Sequence, residues 1–282
     1  MTSGGLVLVG TPIGNLGDLS PRAVEALAGA GVIAAEDTRR TRALLTHAGV
    51  AVAPRRLVAL HGHNEAEVAA RLVEEMAAGL RVAYVTDAGM PGISDPGERL
   101  VRAALARDLP VEVVPGPSAA LSALVISGLP TARFVFEGFL PRKGAERAAR
   151  LGALASEDRT AVLFESPRRL AATLADLAAA CGPDRPVAVG RELTKLFETV
   201  WRGTLGKAVD GGPEARGEQV IVLGPAPARP EPGDDEILES LRAELERGAS
   251  RRDAADATAR RLGVSRRRAY ELASNLPGSG PV

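Results

Sequence analysis

Cysteine occurs once in the 282 residues, at Cys181, which excludes an internal disulfide and a cysteine metal cluster. Aromatic residues make up only 3% of the chain, so extensive base stacking is not expected. Neither charge is in excess. Lys plus Arg and Asp plus Glu each number 35, so any nucleic-acid surface has to be local. No apolar run approaches the roughly 20 residues of a membrane span. The N-terminus shows neither a basic region nor a signal-like apolar core, and a cytoplasmic protein is expected. No Gly-x-x-x-x-Gly-Lys-[Ser/Thr] stretch exists, which excludes a P-loop, and Gly10-Thr-Pro-Ile-Gly14 lacks dinucleotide-fold spacing. No Gly-x-Ser-x-Gly elbow is present either, which argues against a hydrolase triad. His61 and His63 lack a further His or Cys ligand, so they read as loop residues and no metal is expected.

What is present is 45% hydrophobic residues with 31 Gly and 20 Pro, the composition of an Ala-rich α/β protein long enough for two domains. Strand-like runs alternate with helical ones. Leu6–Val9, Gly31–Ala35, Leu57–Leu60, Arg81–Val85 and Val111–Val114 are short apolar runs suited to a buried parallel sheet. They predict an N-terminal α/β domain over residues 1–115. A second set, Arg133–Phe139, Thr160–Phe164, Pro186–Gly190, Glu198–Gly203 and Glu218–Leu223, has closely spaced later members, which predicts a mixed sheet in a domain over 116–224. Residues 225–233 read as a proline-rich linker. The remainder, 234–282, reads as a helical tail. Ile237, Leu238, Leu241 and Leu245 form one stripe there; Ala254, Ala255, Thr258 and Leu262 form another. Ser265 caps a last helix after a Gly-containing turn, a helix-turn-helix pattern. Seven arginines between 251 and 268 read either as a solvated basic face or as a contact for a phosphate backbone.

Thr86-Asp-Ala-Gly-Met-Pro-Gly-Ile-Ser-Asp-Pro-Gly97 is the most informative stretch. It leaves a buried strand at its carboxyl end, where open α/β sheets bind ligands. Its glycines let backbone approach a ligand closely. Asp95-Pro96, with Glu98, reads as a helix start. The same device recurs at Ser20-Pro21 and Ser166-Pro167, and loosely at Gly116-Pro-Ser118. Helix amino termini after strands offer free N–H groups to a shared ligand cleft.

Gly10-Thr-Pro-Ile-Gly-Asn-Leu16, Ala35-Glu-Asp-Thr-Arg39, His61-Gly-His-Asn-Glu65, the Thr86–Gly97 loop, Val114-Pro-Gly-Pro-Ser-Ala119, Phe164-Glu-Ser-Pro-Arg168 and Arg191-Glu-Leu-Thr-Lys195 occur in that order. Together they resemble the tetrapyrrole methylase superfamily of class III methyltransferases. Within it the chain is similar to the RsmI branch, which methylates the ribose 2′-oxygen of a cytidine in the decoding region of small-subunit (16S) ribosomal RNA. The resemblance implies two α/β domains with S-adenosylmethionine in the cleft between them, and a homodimer. It implies donor contacts from Asp87, Gly89, Pro91 and Ile93, from Ser118 and Ala119, and from Phe164, Leu193 and Val220. Tetrapyrrole-methylating relatives typically carry Gly-Gly-Asp-Pro where this chain has Thr-Asp-Ala-Gly-Met-Pro, which argues against a tetrapyrrole acceptor.

Transfer to a neutral hydroxyl requires close orientation and a proton acceptor. Asp37, Glu65, Glu192 and Lys195 are candidates by their place in loops beyond strands; for Asp37 and Arg39 a loop salt bridge is the competing reading. Arg39, Arg40, Arg142, Lys143, Arg168, Arg169, Arg266 and Arg267 are candidate RNA phosphate contacts. Two alternatives stay open: a methyltransferase acting on a tetrapyrrole or other metabolite, which the basic tail disfavours, and a ligand-sensing DNA-binding regulator.

Overall fold

The computed structural model describes residues 4–51, 56–227 and 232–276. Residues 228–231 of the expected linker and 277–282 of the expected tail lie outside the described residues. Two compact units are present, one running to Ala226 and one beginning at Pro227.

The first unit opens with β1 (Gly5–Val9), α1 (Pro21–Gly29), β2 (Val32–Ala35), α2 (Thr38–His47), β3 (Leu57–Ala59), α3 (Glu65–Ala77), β4 (Arg81–Val85), α4 (Glu98–Leu105) and β5 (Val111–Val114). These strands make a wholly parallel sheet in the order β3-β2-β4-β1-β5. Apolar side chains on both faces explain the continuous runs, because the pleat sends alternate residues to opposite cores. Leu6, Val82 and Tyr84 pack with Leu72 and Leu100 on one side. Val7, Ala83 and Val85 pack with Leu27 and Leu45 on the other.

The chain continues through α5 (Ala119–Ile126), β6 (Phe134–Phe139), α6 (Gly144–Ser156), β7 (Thr160–Glu165), α7 (Leu170–Cys181), β8 (Pro186–Arg191), β9 (Thr199–Thr204), α8 (Leu205–Val209) and β10 (Gln219–Leu223). The second sheet is mixed, in the order β6-β7-β10-β8-β9 with only β6 and β7 parallel. One face packs Leu163, Val189 and Ile221 against Leu154 and Leu174. The other packs Val162, Ala188 and Val222 against α5 and against Ile13 from the loop after β1. That second contact seats the two sheets together within one unit.

Two helix starts differ from the sequence expectation. Helix α4 begins at Glu98 with Gly97, not Asp95, at its cap position. Helix α7 begins at Leu170, because Ser166 opens a turn whose carbonyl accepts from the Arg169 and Leu170 amides. Ser20, Ser118 and Ser265 do cap α1, α5 and the last helix through their hydroxyls.

The second unit holds α9 (Asp234–Glu246), α10 (Arg251–Leu262) and α11 (Arg266–Asn275). Ile237, Leu241, Ala254, Ala255, Ala269 and Ala273 form its core. Inside it the Ser240 and Thr258 hydroxyls hydrogen-bond to each other at 2.9 Å, so neither buried oxygen is left unpaired. Gly263, in the left-handed region at φ 69°, turns the chain between α10 and α11.

Arg185 anchors the second sheet from within. It is 3% exposed, and its guanidinium donates to the carbonyls of Gly224 at 2.6 Å and Glu157 at 3.0 Å, and to those of Leu154 and Ala155. Replacing Arg185 with Ala strands these carbonyls. The expected loss is about 3 kcal/mol of unfolding free energy, read as a lower urea midpoint at unchanged slope.

Candidate active site

Loops after β1, β4 and β5 converge at the carboxyl edge of the first sheet. Gly10 and Gly116 touch backbone to backbone; a Cβ on Gly10 would lie 2.6 Å from the Gly116 nitrogen. Thr11 and Gly89 exchange amide hydrogen bonds of 2.9 and 3.1 Å, which stitches the first loop to the Thr86–Gly97 loop. Gly97 adopts φ 131° with its α-carbon so near the Tyr84 ring that a Cβ would lie 2.7 Å from it. No side chain within the loop caps α4. Glu65 of α3 does so instead: its Oε1 accepts from the Gly97 and Arg99 amides at 2.9 and 3.0 Å.

Two adjoining cavities open above this edge, sharing Ile13, Ala88 and Glu218 in their walls. One, of about 230 Å³, is walled by Gly89, Met90, Ile93 and Ser118 from the first sheet's loops and by Phe139 and Phe164 from the second sheet. Phe136 and Phe139 stack edge-to-face on Phe164, with centroids at 5.1 and 5.7 Å. Its charged lining is Asp95, Glu165 and Glu218, with no basic side chain. Gln219 also lines it and has a buried Oε1 without a partner, an acceptor waiting for a donor. The other cavity, of about 330 Å³, carries Arg40 and Lys195 beside Asp87 and Glu218, over an apolar wall that includes Leu16 and Leu44.

Of the expected donor contacts, Gly89, Ile93, Ser118, Ala119, Phe164 and Val220 line the smaller cavity. Asp87 lines the larger one. Leu193 is buried behind the wall with Ile13 and Val220, and Pro91 is buried without reaching either cavity.

The candidate proton acceptors are engaged otherwise. Asp37 caps α2 and pairs with Arg39 at 2.9 Å; the hydrogen bonds from Arg39 hold its carboxyl at about 2, which makes it a weak base. Glu65 is committed to the start of α4. Glu192, at φ 50°, accepts from the Glu218 amide, which with Lys195 holds its carboxyl below the ordinary range. Burial opposes the charge of Lys195, but its hydrogen bonds to Glu218 and Glu192 outweigh that and keep the ammonium above its ordinary value. A protonated lysine accepts nothing.

The candidate phosphate contacts divide as well. Arg142, Lys143 and Arg168 are exposed and have no hydrogen bond or ion pair among the described residues. Arg40 pairs with Asp87 at 3.2 Å while facing the larger cavity. Arg39 is exposed but tied to Asp37. Arg169 is turned to the protein, donating to the Leu140 carbonyl at 2.7 Å and pairing with buried Glu165. In the tail, Arg266 pairs with Asp256 and Arg267 with Glu271. Arg252, Arg260 and Arg261 carry no hydrogen bond or ion pair there.

Sequence reasoning passed over Glu36, Met90, Asp95, Phe139 and Gln219. Glu36 accepts from the Asp87 amide, and the Asp87 carboxylate accepts in turn from the Asp37 amide. Asp95 and Met90 lie within the Thr86–Gly97 stretch, where they read as a helix cap and a loop residue. Phe139 and Gln219 belonged to predicted strands, where alternation speaks of burial and not of a ligand.

A family model described as tetrapyrrole (corrin/porphyrin) methylases matches residues 5–209. The chain belongs to this family. It is 43% identical over 279 residues to ribosomal RNA small subunit methyltransferase I of Synechocystis sp., covering 98% of this chain and 99% of that one. It is 50% identical over 229 residues to the protein of the same name from Mycobacterium tuberculosis, covering 80% of each. Among solved structures, uroporphyrin-III C-methyl transferase from Thermus thermophilus complexed with S-adenyl homocysteine aligns with a TM-score of 0.55 at 24% identity, over 78% of this chain and 97% of that one. That structural likeness establishes the fold.

Glu65→Ala should free the Gly97 and Arg99 amides and raise their hydrogen exchange by about tenfold or more, since a carboxylate acceptor contributes about 1.5–3 kcal/mol. Glu65→Gln, which keeps the acceptor oxygen, should exchange much closer to wild type.

Proposed function

We propose that the chain transfers a methyl group from S-adenosylmethionine to the ribose 2′-oxygen of a cytidine in small-subunit (16S) ribosomal RNA near the decoding centre. The observation that carries this reading is the unequal charge of the two cavities. The smaller one offers aromatic and aliphatic walls, carboxylates and no basic group, which suits a donor carrying a sulfonium and an ammonium. The larger one presents Arg40 and Lys195, which suits the phosphates flanking an acceptor ribose. The donor supplies an electrophilic methyl carbon. The chain's part is to hold the hydroxyl about 3–3.5 Å from that carbon and to remove its proton. The ribosomal names of the relatives support the acceptor.

Arg142, Lys143 and Arg168 extend the cationic surface to the loops after β6 and β7. In the tail, the exposed arginines Arg252, Arg260 and Arg261 of α10 are available to RNA on the assembled subunit. The protein works in the cytoplasm as a homodimer. Helix α5 supports the dimer: it is apolar but for Ser122, yet Leu121 and Val125 are 50% and 68% exposed. Val113 on the edge strand β5 is exposed as well. An apolar helix face of this kind asks for a cover, and a second copy provides one.

Incubation with methyl-labelled donor and undermethylated small ribosomal subunits should place label in a ribose-methylated cytidine. Transfer to a tetrapyrrole alone, or duplex-DNA binding without transfer, would contradict the reading. Arg40→Ala should raise KM for subunits by about tenfold and leave donor affinity unchanged. Replacing Arg252, Arg260 and Arg261 with Glu should weaken subunit binding by at least about tenfold and flatten its salt dependence. Sedimentation should show a dimer that Val125→Glu dissociates.

A further inference from the structure

The proposed transfer needs a proton acceptor, and the geometry points to a residue outside the set considered from sequence; this inference rests on the acceptor reading above. Among the carboxylates that reach the two cavities, Glu165 is spent on Arg169, the Ser166 amide and the Thr173 hydroxyl. Glu218 is held by Lys195 at 3.0 Å. Asp87 is held by Arg40 and the Asp37 amide. Asp95 remains, without a cationic partner among the described residues. It lines the donor cavity and stands beside Thr86 and Asp87, which line the acceptor cavity. That position puts Asp95 on the donor side, next to residues of the acceptor cavity.

The loop fixes Asp95 there. Ser94 before it adopts φ 62°. Gly97 after it is pinned by Glu65, and the Pro96 carbonyl accepts from the Gly92 amide at 3.1 Å. The charged groups facing this corner are Glu36 from the loop after β2, Asp87 after β4, and Glu65 of α3 beyond the buried, unpartnered Tyr84 hydroxyl. Glu165 and Glu218 lie across the cavity on the second sheet. Arg40 reaches Asp87. Burial first, then Glu36 and Asp87, push the Asp95 carboxyl up to about 6. Such a group is ionised at neutral pH and more basic than an ordinary carboxylate, the property a general base requires.

We propose that Asp95 is the catalytic proton acceptor. The 2′-hydroxyl proton passes to an Asp95 carboxylate oxygen while the hydroxyl oxygen's electron pair forms the new carbon–oxygen bond. The carbon–sulfur bond breaks with its electron pair going to sulfur. The neutral Asp95 then returns its proton to water.

Asp95→Asn in the full chain, assayed on undermethylated small subunits, tests this. Wild-type kcat/KM should climb about tenfold per pH unit below about 6 and level off above it. The variant should lose at least about 100-fold in kcat and the limb near 6, a loss much larger than any fall in donor affinity by calorimetry. Asp95→Glu should recover part of the rate together with a limb. A variant that keeps the rate and the limb would overturn the proposal. So would a defect wholly in donor affinity, which would make Asp95 a charge partner of the sulfonium. A second readout needs no acceptor. Carbon-13 carboxyl titration should show a group near 6 in the wild type that Asp95→Asn removes, and titration of Asp95 near 4 would overturn the proposal. If that group is present but the wild type transfers nothing to RNA, the acceptor reading fails while the basicity of Asp95 stands.

Discussion

The contact on which the site depends is the backbone approach of Gly10 to Gly116. The carboxyl ends of neighbouring strands β1 and β5 carry loops that meet with no room for a side chain between them. The Thr11–Gly89 amide pair then draws the loop after β4 into the same plane. Three loops thus become one floor, and the second sheet closes over it through Ile13, α5 and Val220. A larger residue at either glycine would part the floor, because backbone atoms have nowhere to yield.

On that floor charge does the sorting. Cations stand on one side, where Lys195 is held by two glutamates and Arg40 by Asp87. On the other side the lining charges are Asp95, Glu165 and Glu218, of which Glu165 is paired with Arg169 and Glu218 with Lys195. A cationic donor and a polyanionic acceptor would each find the complementary half, and the donor loses its charge when the methyl leaves. Burial, with Glu36 and Asp87 nearby, raises the basicity of Asp95 at the donor cavity's edge.

Much of this was legible in the sequence. Each predicted strand has its counterpart within a residue or two, because runs such as Leu6–Val9 and Val220–Leu223 are buried on both faces and leave an unbroken apolar signal. The mixed second sheet followed from the short spacing of its last strands. The site was legible as a loop, not as chemistry. Asp95-Pro96 has the spelling of a helix cap, but Gly97 and the distant Glu65 do that work, and a partner 32 positions away writes no local pattern. The Asp37–Arg39 pair was legible as the competing reading, whereas Lys195 is held in part by Glu218, 23 positions away, which only the fold brings to it. Arg169 is likewise drawn inward by Glu165 and the Leu140 carbonyl, while its neighbour Arg168 stays in solvent.

The central claim is that the two cavities divide donor from acceptor. It is tested most directly by a structure of the protein with S-adenosylhomocysteine and a small-subunit RNA fragment containing the target cytidine. The account predicts the sulfur between Ile93 and Phe164, the ribose 2′-oxygen within hydrogen-bond reach of Asp95, and a flanking phosphate on Arg40 or Lys195. A donor seated against Arg40 and Lys195, or a ribose approaching from any other face, would contradict it.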